Sequence, residues 1–379
     1  MKYLDYNIRI PPTGMRKVLY LNWPLLLSVL AVGAGGFVML YSVAGGNLSL
    51  WAEPQMSRFA LGVGLMLAIA LTPIWFWRGV SVAAYLGSVL LLAAVEVVGI
   101  TGMGAQRWLD LGVMRLQPSE LTKITLVMVL AAYYHWLPIA KTSRPLWILP
   151  PLLLIALPTA LVLRQPDLGT ALLLVVGGMA VLFLAGLHWG YFVALIAAAA
   201  ASIAAVFVSR GTGWQILHDF QYRRIDTYID PSADPLGAGY HITQSQIALG
   251  AGGWTGRGFM QGTQSYLNFL PERHTDFIFA TLAEQFGFLG SMFLLGLYGL
   301  ILFFCIAAGL RCLDRFSTLL TLGLGITFFL FVAVNISMVT GLIPVVGVPL
   351  PLISYGGSAM LVLMIAFGLI QSAQVHRPR

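Results

Sequence analysis

The chain has 379 residues, of which 59% are hydrophobic and only 9% charged, and its mean hydropathy is +0.86. That balance excludes a water-soluble globular domain. The net charge of +7 is what the positive-inside bias and anionic lipid headgroups call for, so it does not indicate nucleic-acid binding.

A helix needs at least about 18 apolar residues to cross roughly 30 Å of hydrocarbon, and about ten runs qualify. They centre near Ala31, Met66, Ser88, Val127, Leu154, Gly178, Ala197, Leu294, Phe329 and Val362. The expectation is an all-α integral membrane protein, one polytopic domain over residues 1–379 with a large extracytoplasmic loop, residues 209–275, between its seventh and eighth spans. The apolar run from Val18 to Leu40 is too long for a signal peptide, so the first span is expected to be retained despite the small residues Ser42-Val43-Ala44. With an even number of spans both termini share one side. That side collects Lys2, Arg9, Arg16, Lys17, Arg78, Lys141, Arg144, Arg311, Arg315, Arg377 and Arg379 but only Asp5 and Asp314 among the acids, which marks it as cytoplasmic. Cys305 and Cys312, near the inner end of the eighth span, predict neither a disulfide nor a zinc site.

Between the third and fourth spans, Gly104 to Gly112 and Arg115 are too polar to cross and should lie along the outer surface. Trp108 there can anchor the interface, and Arg107 and Arg115 can contact a lipid phosphate or a substrate pyrophosphate. Gln117-Pro118-Ser119-Glu120 opens the fourth span, Gln165-Pro166-Asp167 the sixth, and Pro271 with Asp276 the eighth. Each puts proline and an acid in a first helical turn, as capping requires, but three such positive helix ends on one face can also gather around an anion. Glu120 and Lys123 share a helix face, as a salt bridge or as the polar lining of a groove. Glu96 and Glu284 are charges inside apolar spans, and Glu284 is expected on the same helix face as Asp276.

In the long loop, Trp214 to Ile229 has the make-up of an amphipathic helix on the membrane surface. Asp226, Asp230 and Asp234 follow a four-residue spacing without an EF-hand pattern. His241 to Leu249 is a short helical run closed by Gly250-Ala251-Gly252-Gly253, glycines that permit tight turns.

Gln117 to Glu120, Gln165 to Thr170, the glycine-rich run, Leu270 to Phe277 and Pro351-Leu352-Ile353-Ser354-Tyr355-Gly356-Gly357-Ser358 resemble, in order and over nearly the whole chain, the SEDS family of shape, elongation, division and sporulation proteins. Pro271-Glu272-Arg273-His274-Thr275-Asp276 and Gly262-Thr263-Gln264-Ser265 are more similar to its rod-shape branch than to its division branch. The resemblance implies a peptidoglycan glycosyltransferase that polymerises lipid II at the outer face of the bacterial inner membrane for elongation and rod shape. It also implies a class B penicillin-binding protein as transpeptidase partner, alongside other elongation-machinery proteins and membrane lipids, and it places the family's essential aspartate on Asp276.

The chemistry that this activity requires is an inverting hexosyl transfer from an undecaprenyl-pyrophosphate-linked donor, for which one general base, Asp276, suffices. The leaving pyrophosphate asks for cations, and Arg107, Arg115, Lys123, Arg223, Arg224 and Arg273 are the candidates, with Gln117 beside them. A divalent cation such as Mg2+ or Mn2+, held by Asp167 or Glu120, could share that work. His274 can relay a proton or simply hydrogen-bond its loop. Asp167 can orient the site or cap the sixth span, and the small residues Ser354 to Ser358 allow close helix packing. The competing readings are a lipid II flippase, which should carry polar groups along a whole transmembrane path, and a noncatalytic scaffold that only recruits the transpeptidase.

Overall fold

The computed structural model describes residues 14–102, 105–110, 112, 115–215, 222, 226, 238–266, 270 and 272–377. Ten long helices are joined mostly by short turns: α1 (Trp23–Val43), α2 (Ala52–Leu71), α3 (Ile74–Val98), α4 (Pro118–Trp136), α5 (Pro145–Arg164), α6 (Leu168–Leu184), α7 (Trp189–Ser209), α10 (Ile278–Leu310), α11 (Arg315–Val339) and α12 (Gly357–Val375). Among the described residues, two shorter helices, α8 (Ala238–Ala251) and α9 (Thr263–Tyr266), lie between α7 and α10. Each of the ten expected apolar centres falls inside one of the long helices. Eight of these helices are long and apolar enough to cross a membrane; the others are α6, apolar but only 17 residues long, and α4, which carries Glu120 and Lys123.

Helix α4 is the hub, packed against α3, α5, α6, α11 and α12. Helix α12 lies along α2, where Gly62 meets Met364 and Gly368 meets Ile69 too closely for a Cβ. Helix α7 stands apart, with Ser209 its one buried residue. Asn22 and Gln371 exchange two hydrogen bonds of 2.8 and 3.0 Å, tying the start of α1 to the end of α12. Both ends of the described chain thus lie on one face of the bundle, and α2, α4, α6 and α12 begin on the other, called here the loop face.

The polar segment between α3 and α4 is a small antiparallel sheet of β1 (Ile100–Gly102), β2 (Ala105–Asp110) and β3 (Arg115–Leu116), in the order β1-β2-β3. The register pairs Ile100 with Trp108 and Asp110 with Arg115. The expected amphipathic helix from Trp214 to Ile229 falls largely outside the described residues, as do Asp230 and Asp234. Asp226 is ion-paired with Arg210 at 2.7 Å.

The expected helix around His241 to Leu249 is α8, and its closing glycines do more than turn the chain. Helix α10 breaks at Gly287, where φ is 65°, leaving amide and carbonyl groups without helical partners. The glycine loop supplies them: Phe288 and Leu289 N–H donate to the Gly253 and Trp254 carbonyls, and Arg257 and Gly258 N–H donate to those of Glu284 and Gln285. Gly252 and Gly256 lie so close to the α10 backbone that no side chain fits at either. Glu284, fully buried, accepts from Gln264 N at 2.9 Å and Thr263 Oγ1 at 3.2 Å. It therefore anchors this loop, and the expectation that it shares a helix face with Asp276 is corrected, because Asp276 precedes the helix.

Candidate functional site

A cavity of about 810 Å³ opens at the loop face, walled by the start of α4, the start of α6, the β2–β3 hairpin, the turn before α10, the loop before α12 and the first turn of α12. It brings together Arg107, Arg115, Gln117, Glu120, Lys123, Asp167 and Asp276, residues that sequence reasoning singled out one by one. Arg273 and His274 are not among its lining residues, and Arg224 lies outside the described residues. Trp108 lines the cavity as well.

Proline at the start of α4, with Gln117 as N-cap, sets Glu120 in the first turn. Its Oε1 accepts from Lys123 Nζ at 2.8 Å, and their side chains are only 7% and 3% exposed. Lys123 Nζ also sits 4.1 Å from the Phe331 ring centroid, a cation–π contact that replaces part of its lost hydration. The pair is both a buried salt bridge and part of the cavity wall, so the two alternatives for it coexist.

Asp167 caps α6 and also lines the cavity. As N-cap of α6 it accepts from Thr170 N at 3.1 Å and Thr170 Oγ1 at 3.0 Å, and its Oδ2 faces Gln117 Nε2 at 3.4 Å and Arg107 at 4.0 Å. Arg107 spends its other donors on the carbonyls of Gln165 and Pro166, at 3.1 and 2.6 Å. Those carbonyls belong to the connection from α5 to α6, so Arg107 links the hairpin roof to the helix starts beneath it.

Asp276 does not cap α10, whose N-cap is Phe277 without a side-chain cap bond. Its carboxylate is half-buried at the cavity wall, and no hydrogen bond to it is present among the described residues. The backbone around it, by contrast, is fixed by donors from the C-terminal third of the chain. Tyr355 N–H donates to the His274 carbonyl at 2.9 Å, Ser354 Oγ to that of Thr275 at 2.6 Å, and Asn335 Nδ2 to that of Asp276 at 2.9 Å. Three consecutive carbonyls are held while the acid itself faces open space. Burial first, and then the negative charges of Glu272 and Asp167, push the Asp276 carboxyl up to about 6.

The His274 ring stacks flat on Trp51, with centroids 4.5 Å apart and planes 4° from parallel, and burial lowers its pKa. Its Nε2 lies 3.9 Å from Glu272 Oε2, so the ring packs in the loop beside an acid that lines the cavity. Among the described residues no group of three or more His, Cys, Asp or Glu converges as a metal site. Glu120 Oε1 is taken by Lys123, and the Asp167 oxygens by Thr170 and Gln117, so the two acids are bonded to protein donors and do not converge on a common cation position.

Sequence reasoning missed Arg58, Glu272 and Asn335. Arg58 and Glu272 line the cavity, and Asn335 holds its base. A charge or amide inside an apolar span, as at Arg58 and Asn335, was the available signal.

A bundle of apolar, membrane-crossing helices with a polar cavity at one end, where a carboxylate stands beside several cations, has the make-up of a membrane-embedded enzyme. Residues 22–379 match the family model described as "Cell cycle protein", that of FtsW, RodA and SpoVE, and the chain belongs to this family. The peptidoglycan glycosyltransferase MrdB of Escherichia coli K12 is 42% identical over 358 residues, covering 94% of each protein. A probable peptidoglycan glycosyltransferase FtsW of E. coli O6:H1 is 35% identical, covering 91% of this chain and 84% of the relative. Among solved structures, a chain of a peptidoglycan synthase complex of polymerization and crosslinking superposes with a TM-score of 0.81 at 34% identity, covering 93% of this chain and 97% of that one. Thermus thermophilus RodA superposes at 0.70 with 30% identity, covering 94% and 97%.

Proposed function

We propose that this chain is a peptidoglycan glycosyltransferase that polymerises lipid II for cell elongation and rod shape, with Asp276 as its general base. The observation that carries this reading is the Asp276 carboxylate, rigidly presented to a large cavity of mixed charge. The acceptor's 4-hydroxyl attacks the anomeric carbon of the donor and forms the new C–O bond. The bond from that carbon to the pyrophosphate breaks, the electron pair leaves with the pyrophosphate, and the hydroxyl proton passes to Asp276. A base with a pKa of about 6 is ionised at neutral pH yet more basic than an ordinary aspartate, which suits it to this transfer. Arg107, Arg115 and Lys123 supply positive charge where the leaving group gathers negative charge. One displacement inverts the anomeric configuration, and no covalent sugar intermediate is needed.

The loop face is assigned to the outside of the bacterial inner membrane and both termini to the cytoplasm, on the distribution of Lys and Arg. A class B penicillin-binding protein is the partner, a reading supported by the structural neighbour from a complex that couples polymerization to crosslinking. The flippase alternative is less favoured, because the cavity's ionisable residues gather at one face instead of lining a path across the bundle.

The test is polymerisation of purified lipid II by the chain co-purified with its transpeptidase, whose own active site is blocked. Wild type should make glycan strands, and Asp276→Ala and Asp276→Asn should not, since neither side chain accepts the proton. Equal polymerisation by all three would remove Asp276 from its role.

A further inference from the structure

The first turn of α12 forms a stretch of the cavity wall through Gly356, Gly357, Ser358 and Ala359. This 19-residue helix begins at Gly357, with Gly356 as N-cap and no side chain accepting from its first amides. Its leading N–H groups and the positive end of its dipole therefore remain available to a ligand. Two side chains at the same place point to an anion. Ser358 is 1% exposed, yet its Oγ has no hydrogen-bond partner among the described residues, and a buried hydroxyl in that state is normally satisfied by something. Arg58 reaches the same spot from α2. Its guanidinium lies 5.3 Å from the Tyr355 ring centroid, its Nε is 3.3 Å from where a Cβ on Gly357 would stand, and it forms no ion pair among the described residues.

Two other cations of the cavity are already engaged. Lys123 is committed to Glu120, and Arg107 to the carbonyls of Gln165 and Pro166. We infer that Arg58, the Ser358 hydroxyl and the leading N–H groups of α12 form a phosphate-binding subsite, which holds a phosphate of a polyprenyl-diphosphate-linked sugar. The anion class follows from the donors alone, and naming the ligand rests on the glycosyltransferase reading. Polymerisation joins two lipid-linked sugars, each with its own diphosphate, so a phosphate site built from elements other than Arg107 and Lys123 has a use in that reaction. Arginine suits it because its planar fork can bind phosphate while it rests on the tyrosine face.

The probe is inorganic pyrophosphate, titrated calorimetrically into the purified full chain in detergent. Wild type should bind it. Arg58→Gln should weaken binding by about tenfold or more, as expected for loss of a charge-assisted hydrogen bond, with Ser358→Ala weaker by a smaller factor and Arg58→Lys in between. Melting temperatures without ligand check that each variant folds. In polymerisation, Arg58→Gln should raise KM for lipid II more than it lowers kcat.

The proposal is overturned if Arg58→Lys and Ser358→Ala, both folded, bind pyrophosphate as tightly as wild type. It is overturned equally if wild type polymerises lipid II but binds no pyrophosphate, and in that case the enzymatic reading stands without the subsite. Arg58-dependent binding in a protein that makes no polymer would retain the anion site and remove the glycosyltransferase reading.

Discussion

Asn335 holds Asp276 through its backbone: Asn335 Nδ2 donates to the Asp276 carbonyl at 2.9 Å and to the Val348 carbonyl at 2.7 Å. One fully buried amide in α11 thus joins the turn that carries the base to the loop that carries Gly347, whose Cβ position is 3.6 Å from Asp276 Oδ2. Asn335→Leu fills similar space but removes both bonds. It should lower stability by about 1–3 kcal/mol, the cost of leaving buried carbonyls unpaired. Because the carboxylate loses its placement, kcat should drop by about 10–100-fold with KM little changed. Melting curves and steady-state polymerisation check the two effects separately, and a loss confined to stability would show that Asp276 needs no such support.

The raised pKa of Asp276 fixes the direction of the pH dependence. Only the carboxylate can accept the acceptor's proton, so kcat/KM should be level above about pH 6 and fall roughly tenfold per pH unit below it. Part of the shift comes from the charges on Glu272 and Asp167. Glu272→Gln removes one of them, lowers the pKa of Asp276 and should move the acid limb to lower pH. A pH–rate profile identical to wild type would show that Glu272 does not act on the base.

Glu120 and Lys123 test what the buried pair does. Removing one partner leaves an uncompensated charge among apolar helices, at a cost of about 3–5 kcal/mol. Lys123→Met alone should therefore lower the melting temperature sharply, and Lys123→Met with Glu120→Gln should recover part of the loss. Neither should polymerise well, because both remove the Lys123 cation from the cavity wall. If the double variant is as stable as wild type but inactive, the pair serves the site and not the fold.

The transmembrane part of this architecture is legible from the sequence because hydrocarbon demands long apolar runs, and Gly178 or Leu294 needs no tertiary information to be placed in one. The acids at helix starts are legible for the same local reason, and Glu120 and Asp167 occupy first-turn and cap positions as expected. What depends on chain segments meeting was hidden. That the polar segment after α3 is a β1–β3 sheet was not legible, because strand pairing is set by register across a turn, which composition does not encode. Asp276 looked like a helix cap, but α10 starts two residues later, so the carboxylate is left for the cavity. Glu284 has a strong local signal as a buried charge, yet its partners Thr263 and Gln264 come from a loop whose path only the fold reveals. Arg58 sits in α2, far in sequence from Ser358, and nothing local relates them.

Arg315 offers a control at the opposite end of the bundle. Its Nη1 donates to the Leu137 carbonyl at 2.8 Å, and its Nη2 to the Ala185 carbonyl at 2.9 Å and to Thr142 Oγ1 at 3.2 Å. Leu137 and Ala185 are the C-caps of α4 and α6, so one cation satisfies the free carbonyls at the negative ends of two helices whose other ends carry Glu120 and Asp167. Arg315→Leu should cost about 2–4 kcal/mol, as expected for two or more charge-assisted hydrogen bonds, and Arg315→Lys should recover little, because a single ammonium cannot span both carbonyls. The folded fraction should keep kcat/KM within about twofold of wild type and keep the acid limb unmoved, since additivity holds for distant sites. Melting curves and pH–rate profiles on the same preparations decide it. A shifted acid limb in Arg315→Leu would mean that the far ends of α4 and α6 set the geometry around Asp276.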